Sequence, residues 1–170
     1  MAAEESKIFV PKLMCLKAKL LKTEGFANFQ DWNFYNHNLY IGRYNKFTGA
    51  ASSKWMNHYN LRDYSRDDCL LLYEWRLRHN EVLLNALSEL ASKYLGCYCE
   101  PHLPCHAGIL ISLYREKFEI PDVIPDGRQF KIRISRAAEN RWLARNEIEK
   151  QRLTTLLKSK HMYRYNYNLE

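Results

Sequence analysis

No apolar run in this chain approaches the roughly 18 residues of a membrane-spanning helix. Its 170 residues include only 6 glycines and 5 prolines, too few for a fibrous or low-complexity architecture. The start, Met-Ala-Ala-Glu-Glu-Ser, is acidic and lacks the basic and apolar stretches of a secretory signal or transit peptide. Also missing are the P-loop pattern G-x-x-x-x-G-K-[ST], the dinucleotide fingerprint G-x-G-x-x-G, H-E-x-x-H and G-x-S-x-G, so the common nucleotide-binding and hydrolase classes have no support. There is no internal repeat. Cysteines number 5, an odd count, which points to free thiols or metal ligands in a reducing compartment rather than to a disulfide framework. An intracellular protein, cytoplasmic or nuclear and without membrane contact, is expected.

What is present suffices for a packed core: 46% of residues are hydrophobic and 14% aromatic, and the length fits one domain with an appendage. The net charge of +7 is unevenly placed. Residues 128–164 carry eleven Lys and Arg against Glu139, Glu147 and Glu149, a net +8, whereas the remainder holds 15 basic and 16 acidic residues, a net −1. Such asymmetry fits an appended basic arm for nucleic acid or an acidic protein, and equally a solvated helix face.

In chain order, a short strand is expected near Leu13 to Lys17, because Pro11 argues against one continuous helix. Gly25 to Asn38 is aromatic without steady period and reads as a loop capping the core. Asn38-Leu39-Tyr40-Ile41-Gly42-Arg43 reads as a buried strand feeding a polar loop through Ser53. Ser65 with Asp68 three residues on is a capping-box pattern starting a helix that carries Leu70, Tyr73 and Leu77, and Asn80 caps a second helix with Leu83, Leu87 and Leu90. Tyr94 to Cys99 is a strand, Glu100 to Pro104 a loop, and Cys105 onward a helix. Past Phe118, prolines 121 and 125 and the pair Asp126-Gly127 mark a boundary. Phe130 to Ile134 alternates like an edge strand, Ala137 to Lys160 is a helix with a poor apolar stripe, and Met162 to Asn168 interleaves Tyr with polar residues as a base-stacking or disordered tail would. The domains implied are an α/β core over 8–118 and a linker with a basic helical extension over 119–170.

The densest chemistry lies in Leu95-Gly96-Cys97-Tyr98-Cys99-Glu100-Pro101-His102-Leu103-Pro104-Cys105-His106. In a strand, Cys97 and Cys99 share a face, while Cys105 and His106 sit where unpaired N–H groups and the helix dipole favour a thiolate or an anion. Three readings stand together. One is a zinc site from Cys97, Cys99, Cys105 and His102 or His106, which lacks the usual C-x2-C pair. The second is a catalytic pocket with Cys105 or His106 as nucleophile or proton carrier, and the third is structural packing. Arg43 could fork onto phosphate or form a surface ion pair. Lys54, Trp55 and Asn57 offer a charge, a stacking face and an amide suited to a nucleotide, Trp55 being more often a core or lid residue.

Tyr40-Ile41-Gly42-Arg43, Lys54-Trp55-Met56-Asn57, and Leu95-Gly96-Cys97-Tyr98-Cys99-Glu100-Pro101 followed by Cys105-His106 resemble, in order, the motifs of the uncharacterised domain-of-unknown-function family 4326, small proteins of bacteria, phages and some large DNA viruses. The likeness spans about Leu13 to Leu113. It departs from the family at His58, where proline is usual, and at Ala107-Gly108, where a glycine-acidic pair is usual. The resemblance implies an α/β, Rossmann-like domain and brings no reaction with it.

The fold expected is a small Rossmann-like α/β domain, its sheet at least partly parallel and flanked by helices. Ligands of such sheets bind at the carboxyl ends of the strands, so Arg43, Lys54 or Trp55, Cys105 and His106 are expected to converge on one pocket, with Asn57 and Cys99 as further ligand-binding candidates. The function expected is a nucleotide- or nucleic-acid-associated protein acting on a phosphate-bearing substrate through Cys105 and His106. The alternative is a non-catalytic, zinc-stabilised binding module for nucleic acid or an acidic protein.

Overall fold

The computed structural model describes residues 7–8, 10–120, 130–131 and 136–160. The expected boundary over 121–127 and the tyrosine-rich stretch 162–168 lie outside the described residues. The elements run β1 (Lys7–Ile8), β2 (Lys12–Cys15), α1 (Ala18–Thr23), α2 (Phe29–Asn33), β3 (Asn38–Tyr40), α3 (Arg66–Arg78), α4 (Glu81–Ala86), a single 3₁₀ turn (Leu87–Leu90), β4 (Tyr94–Cys97), α5 (His106–Lys117), β5 (Phe130–Lys131) and α6 (Arg136–Ser159).

The sheet at the centre has the order β2-β4-β3, and both pairings are parallel, with Leu13, Leu95 and Leu39 in one row. Parallel strands are stable when both faces are covered. Here Leu95 and Cys97 face a large cluster with Leu72, Leu77, Leu87, Leu90, Leu110 and Leu113, and the opposite face of the sheet meets a smaller one of Leu16, Leu21, Phe29, Trp32 and Ala50. A small Rossmann-like α/β architecture is therefore present. Strands β1 and β5 pair antiparallel as a separate ribbon.

The caps read in the sequence are made: the Asp68 N–H donates to Ser65 Oγ at the start of α3, and the Leu83 N–H to Asn80 Oδ1 at the start of α4. Gly25 to Asn38 is corrected, because it holds the helix α2 rather than only loop. Asn28 caps that helix by accepting from the Asp31 N–H, and Phe29 and Trp32, three positions apart, point into the smaller core. Helix α1 was likewise not visible as a period, being only 6 residues long. Helix α6 lies against α3 and α5, with Trp142 and Leu157 in the larger core and Leu153 fully buried.

Candidate metal centre

Strand β4 ends at Cys97, the chain turns over Cys99 to Pro104, and Cys105 is the N-cap of α5 with His106 its first residue. The strand, turn and helix bring four donor atoms together: one from each of Cys97, Cys99, Cys105 and His106, all within 4.8 Å of one another. Cys97 Sγ is 3.4 Å from Cys99 Sγ, while His106 Nδ1 lies 3.9 Å from Cys97 Sγ and 3.6 Å from Cys105 Sγ. A tetrahedral zinc ion with Zn–S near 2.3 Å and Zn–N near 2.05 Å requires S···S of about 3.8 Å and S···N of about 3.6 Å. The four residues could therefore hold a metal ion with little rearrangement. His102, the alternative ligand, is exposed in the turn and not among the four.

The surroundings orient the donors. His106 Nε2 is 2.9 Å from the Ile41 carbonyl oxygen. A carbonyl only accepts, so Nε2 carries a proton and Nδ1 is the ring nitrogen turned toward the thiols. Metal-bound imidazoles take this second partner almost without exception. Ile41 is itself fixed, its N–H donating to the Gly96 carbonyl at 3.1 Å. Beside the imidazole, Tyr73 packs edge-on at 5.3 Å and donates its hydroxyl to the Trp55 carbonyl at 2.6 Å.

Electrostatically the cluster favours one anionic sulfur, that of Cys99. Hydrogen bonds from Cys105, Cys97 and His106 hold the Cys99 thiol well below its ordinary range. Cys105 is pushed up, since its S–H is engaged by the Cys97 and Cys99 sulfurs, although the Ala107 N–H at the start of α5 works the other way. Burial opposes charging His106, but the Cys97 and Cys99 sulfurs outweigh it and raise the imidazole to about 9. One shared positive charge is thus already drawn into the group, which is the electrostatic demand that a bound dication would meet for all three thiols at once.

A cavity of about 1000 Å³ opens over the cluster, at the carboxyl ends of β3 and β4. Arg43, Asn57, Cys99, Cys105 and His106 all line it, and Lys54 and Trp55 do not. Trp55 is 1% exposed and belongs to the larger core. Lys54 lies over its ring and pairs with Glu89 at 2.5 Å. Arg43 holds the following loop, with Nε on the Asn57 carbonyl at 2.7 Å and Nη2 on the Tyr59 carbonyl at 2.5 Å. Asn57 ties that loop to α3 through the Cys69 carbonyl. Tyr44, Phe47, Arg62 and Arg66, which no sequence motif singles out, also line the cavity. Their signal is cations close to rings in the loop after β3 and at the start of α3.

Among the described residues no helix is long and apolar enough to cross a membrane. Residues 27–116, more than half the chain and including all four candidate ligands, match the model of a family described as "Domain of unknown function (DUF4326)". "Uncharacterized protein R718" of Acanthamoeba polyphaga mimivirus is 28% identical over 95 residues, covering 49% of this chain and 73% of that protein. No solved structure matches. The chain belongs to the domain-of-unknown-function family DUF4326.

Proposed function

We propose that this protein is a zinc-stabilised binding module, with zinc held by Cys97, Cys99, Cys105 and His106 and an anionic ligand received in the cavity above. The observation that carries the reading is the ligand group itself: four donors within 4.8 Å, with the imidazole oriented by the Ile41 carbonyl. Three thiolates and one imidazole fill a tetrahedral shell, the ligand set of structural zinc sites rather than of catalytic ones, which keep a position open. The chemistry supplied is a cross-link between the end of β4, the turn and the start of α5, which fixes the cavity floor. Cys105 and His106 then serve as ligands, not as nucleophile and proton carrier.

An anion suits the cavity because Arg43, Lys46, Arg62 and Arg66 line it against one carboxylate, Glu100, which is paired with Lys17. The reading also keeps the protein inside the cell, where thiols stay reduced.

Cobalt substitution tests it. Purified protein reconstituted with Co²⁺ should show tetrahedral d–d bands and intense sulfur-to-cobalt charge transfer, and Cys97→Ser, Cys99→Ser and Cys105→Ser should each weaken the charge-transfer band by about a third, as expected for three equivalent thiolates. A protein that binds no cobalt, and whose Cys99 instead alkylates fastest of its cysteines, would favour thiol chemistry and overturn the zinc reading.

A further inference from the structure

The cavity carries more than charge, and we propose that its ligand is a nucleoside phosphate, with the phosphate on Arg62 and Arg66 and the base against Tyr44 and Phe47. This deepens the anion-binding reading above and rests on it.

The cations divide by what already engages them. Two donors of Arg43 are held by backbone carbonyls, so its fork is chiefly a brace for the loop. Arg66 commits one Nη to the Pro104 carbonyl at 3.2 Å and has further N–H groups in its planar head. The Arg62 side chain has no hydrogen-bond or ion-pair partner among the described residues and is exposed at the cavity wall. An unpaired guanidinium lining the same cavity as a partly engaged one offers the bidentate, charge-assisted donors that phosphate oxygens take best.

Two aromatic rings lining the same cavity supply the second chemistry. Phe47 is 88% exposed and Tyr44 66% exposed, high values for rings that border a cavity rather than scattered surface. Lys46 lies 5.0 Å from the Phe47 centroid. Exposed rings, one with a cation already over it, form a stacking platform for a base whose phosphate is held in the same cavity. Inorganic phosphate alone would leave those rings unused.

The floor sorts the ends of the ligand. With zinc bound, three thiolates around the dication would carry one net negative charge, which would repel a phosphate from the floor toward the arginines and offer sulfur acceptors to the amino groups of a base. A volume of about 1000 Å³ lies at the top of the range of small-molecule sites and holds one nucleotide with water.

Calorimetry on the zinc-loaded full chain tests this, with the four ribonucleoside 5′-monophosphates, ribose 5-phosphate and inorganic phosphate as probes. At least one nucleotide should bind about tenfold more tightly than ribose 5-phosphate, the gain expected of one stacked base. Arg62→Ala should weaken every phosphate probe, and Phe47→Ala should weaken the nucleotide while leaving ribose 5-phosphate unchanged. Both side chains are exposed, so folding is not at stake. A 5′-phosphorylated oligonucleotide that displaces the nucleotide identifies a nucleic-acid end as the source, and one that fails to displace it identifies the free nucleotide. Ribose 5-phosphate binding as tightly as every nucleotide overturns the nucleoside assignment but leaves the anion site. Failure of all phosphates to bind overturns the anion site as well.

Discussion

At the scale of single residues, the sheet has one position that tolerates no side chain. A Cβ on Gly96 would strike the Trp32 indole and the Leu16 side chain, both buried. The central strand is held by hydrogen bonds on both sides and cannot move away. Gly96→Ala is therefore expected to destabilise by about 1–3 kcal/mol, the usual size of an overpacking penalty, measured by urea unfolding. Tyr73→Phe removes the hydroxyl that satisfies the buried Trp55 carbonyl and should cost about 1–3 kcal/mol. Zinc content should not change, because the Tyr73 ring that flanks His106 remains, and a loss of zinc in this variant would contradict that division of roles. The ligand types were legible in the sequence, since three Cys and two His fall within ten residues. What no spacing rule conveys is that the end of a strand lets the Cys97 and Cys99 sulfurs meet at 3.4 Å, or that a carbonyl 65 positions away orients the ring of His106. The first depends on where the strand stops and the second on a parallel neighbour.

Among the elements, α3 and α6 are joined end to end by an acidic group with a pH-dependent contribution. Asp68 accepts from Lys160 Nζ at 2.7 Å and from Ser65 Oγ at 2.8 Å. The hydrogen bond from Lys160, then that from Ser65, holds the Asp68 carboxyl below the ordinary aspartate range. A lowered folded-state value means that the contribution is complete above the unfolded aspartate value and is lost as pH falls through the lowered one. Asp68→Asn should thus be less stable than the parent at pH 7 by no more than about 1 kcal/mol, since the pair is largely exposed, and the gap should close in acid. A gap that persists at low pH would assign the effect to something other than the charge. The starts of α3 and α4 were legible because Ser65 and Asn80 are local signals whose partners lie three residues on. Helices α1 and α2 were not, because one of 6 residues and one of 5 complete too few turns to show a period.

For the molecule as a whole, α3, α5 and α6 meet at one buried guanidinium. Arg78, with a side chain 6% exposed, donates to Glu74 Oε1 at 2.9 Å and Glu116 Oε2 at 2.8 Å, and to Asn146 Oδ1 at 3.1 Å. Asn146 explains why α6 shows a poor apolar stripe in the sequence: one of its inward positions is polar, and its partner lies 68 residues away. A charge count alone makes this segment a basic arm; in the fold its basic face is the outer side of a helix whose Trp142 and Leu157 join the core. Arg78→Ala leaves Glu74 and Glu116 without their shared cation and should cost about 3–5 kcal/mol, seen as a large fall in melting temperature. A change near zero would mean that the three helices are joined by apolar contact alone. The same architecture sets what the metal must do, for the ligands close the strand-to-helix turn on which the cavity floor rests. The most direct test is the metal content of the full chain purified under reducing conditions, measured by inductively coupled plasma mass spectrometry. The account predicts one zinc per chain, lost together with thermal stability on chelation. A metal-free chain that melts at the same temperature with and without added zinc would contradict it.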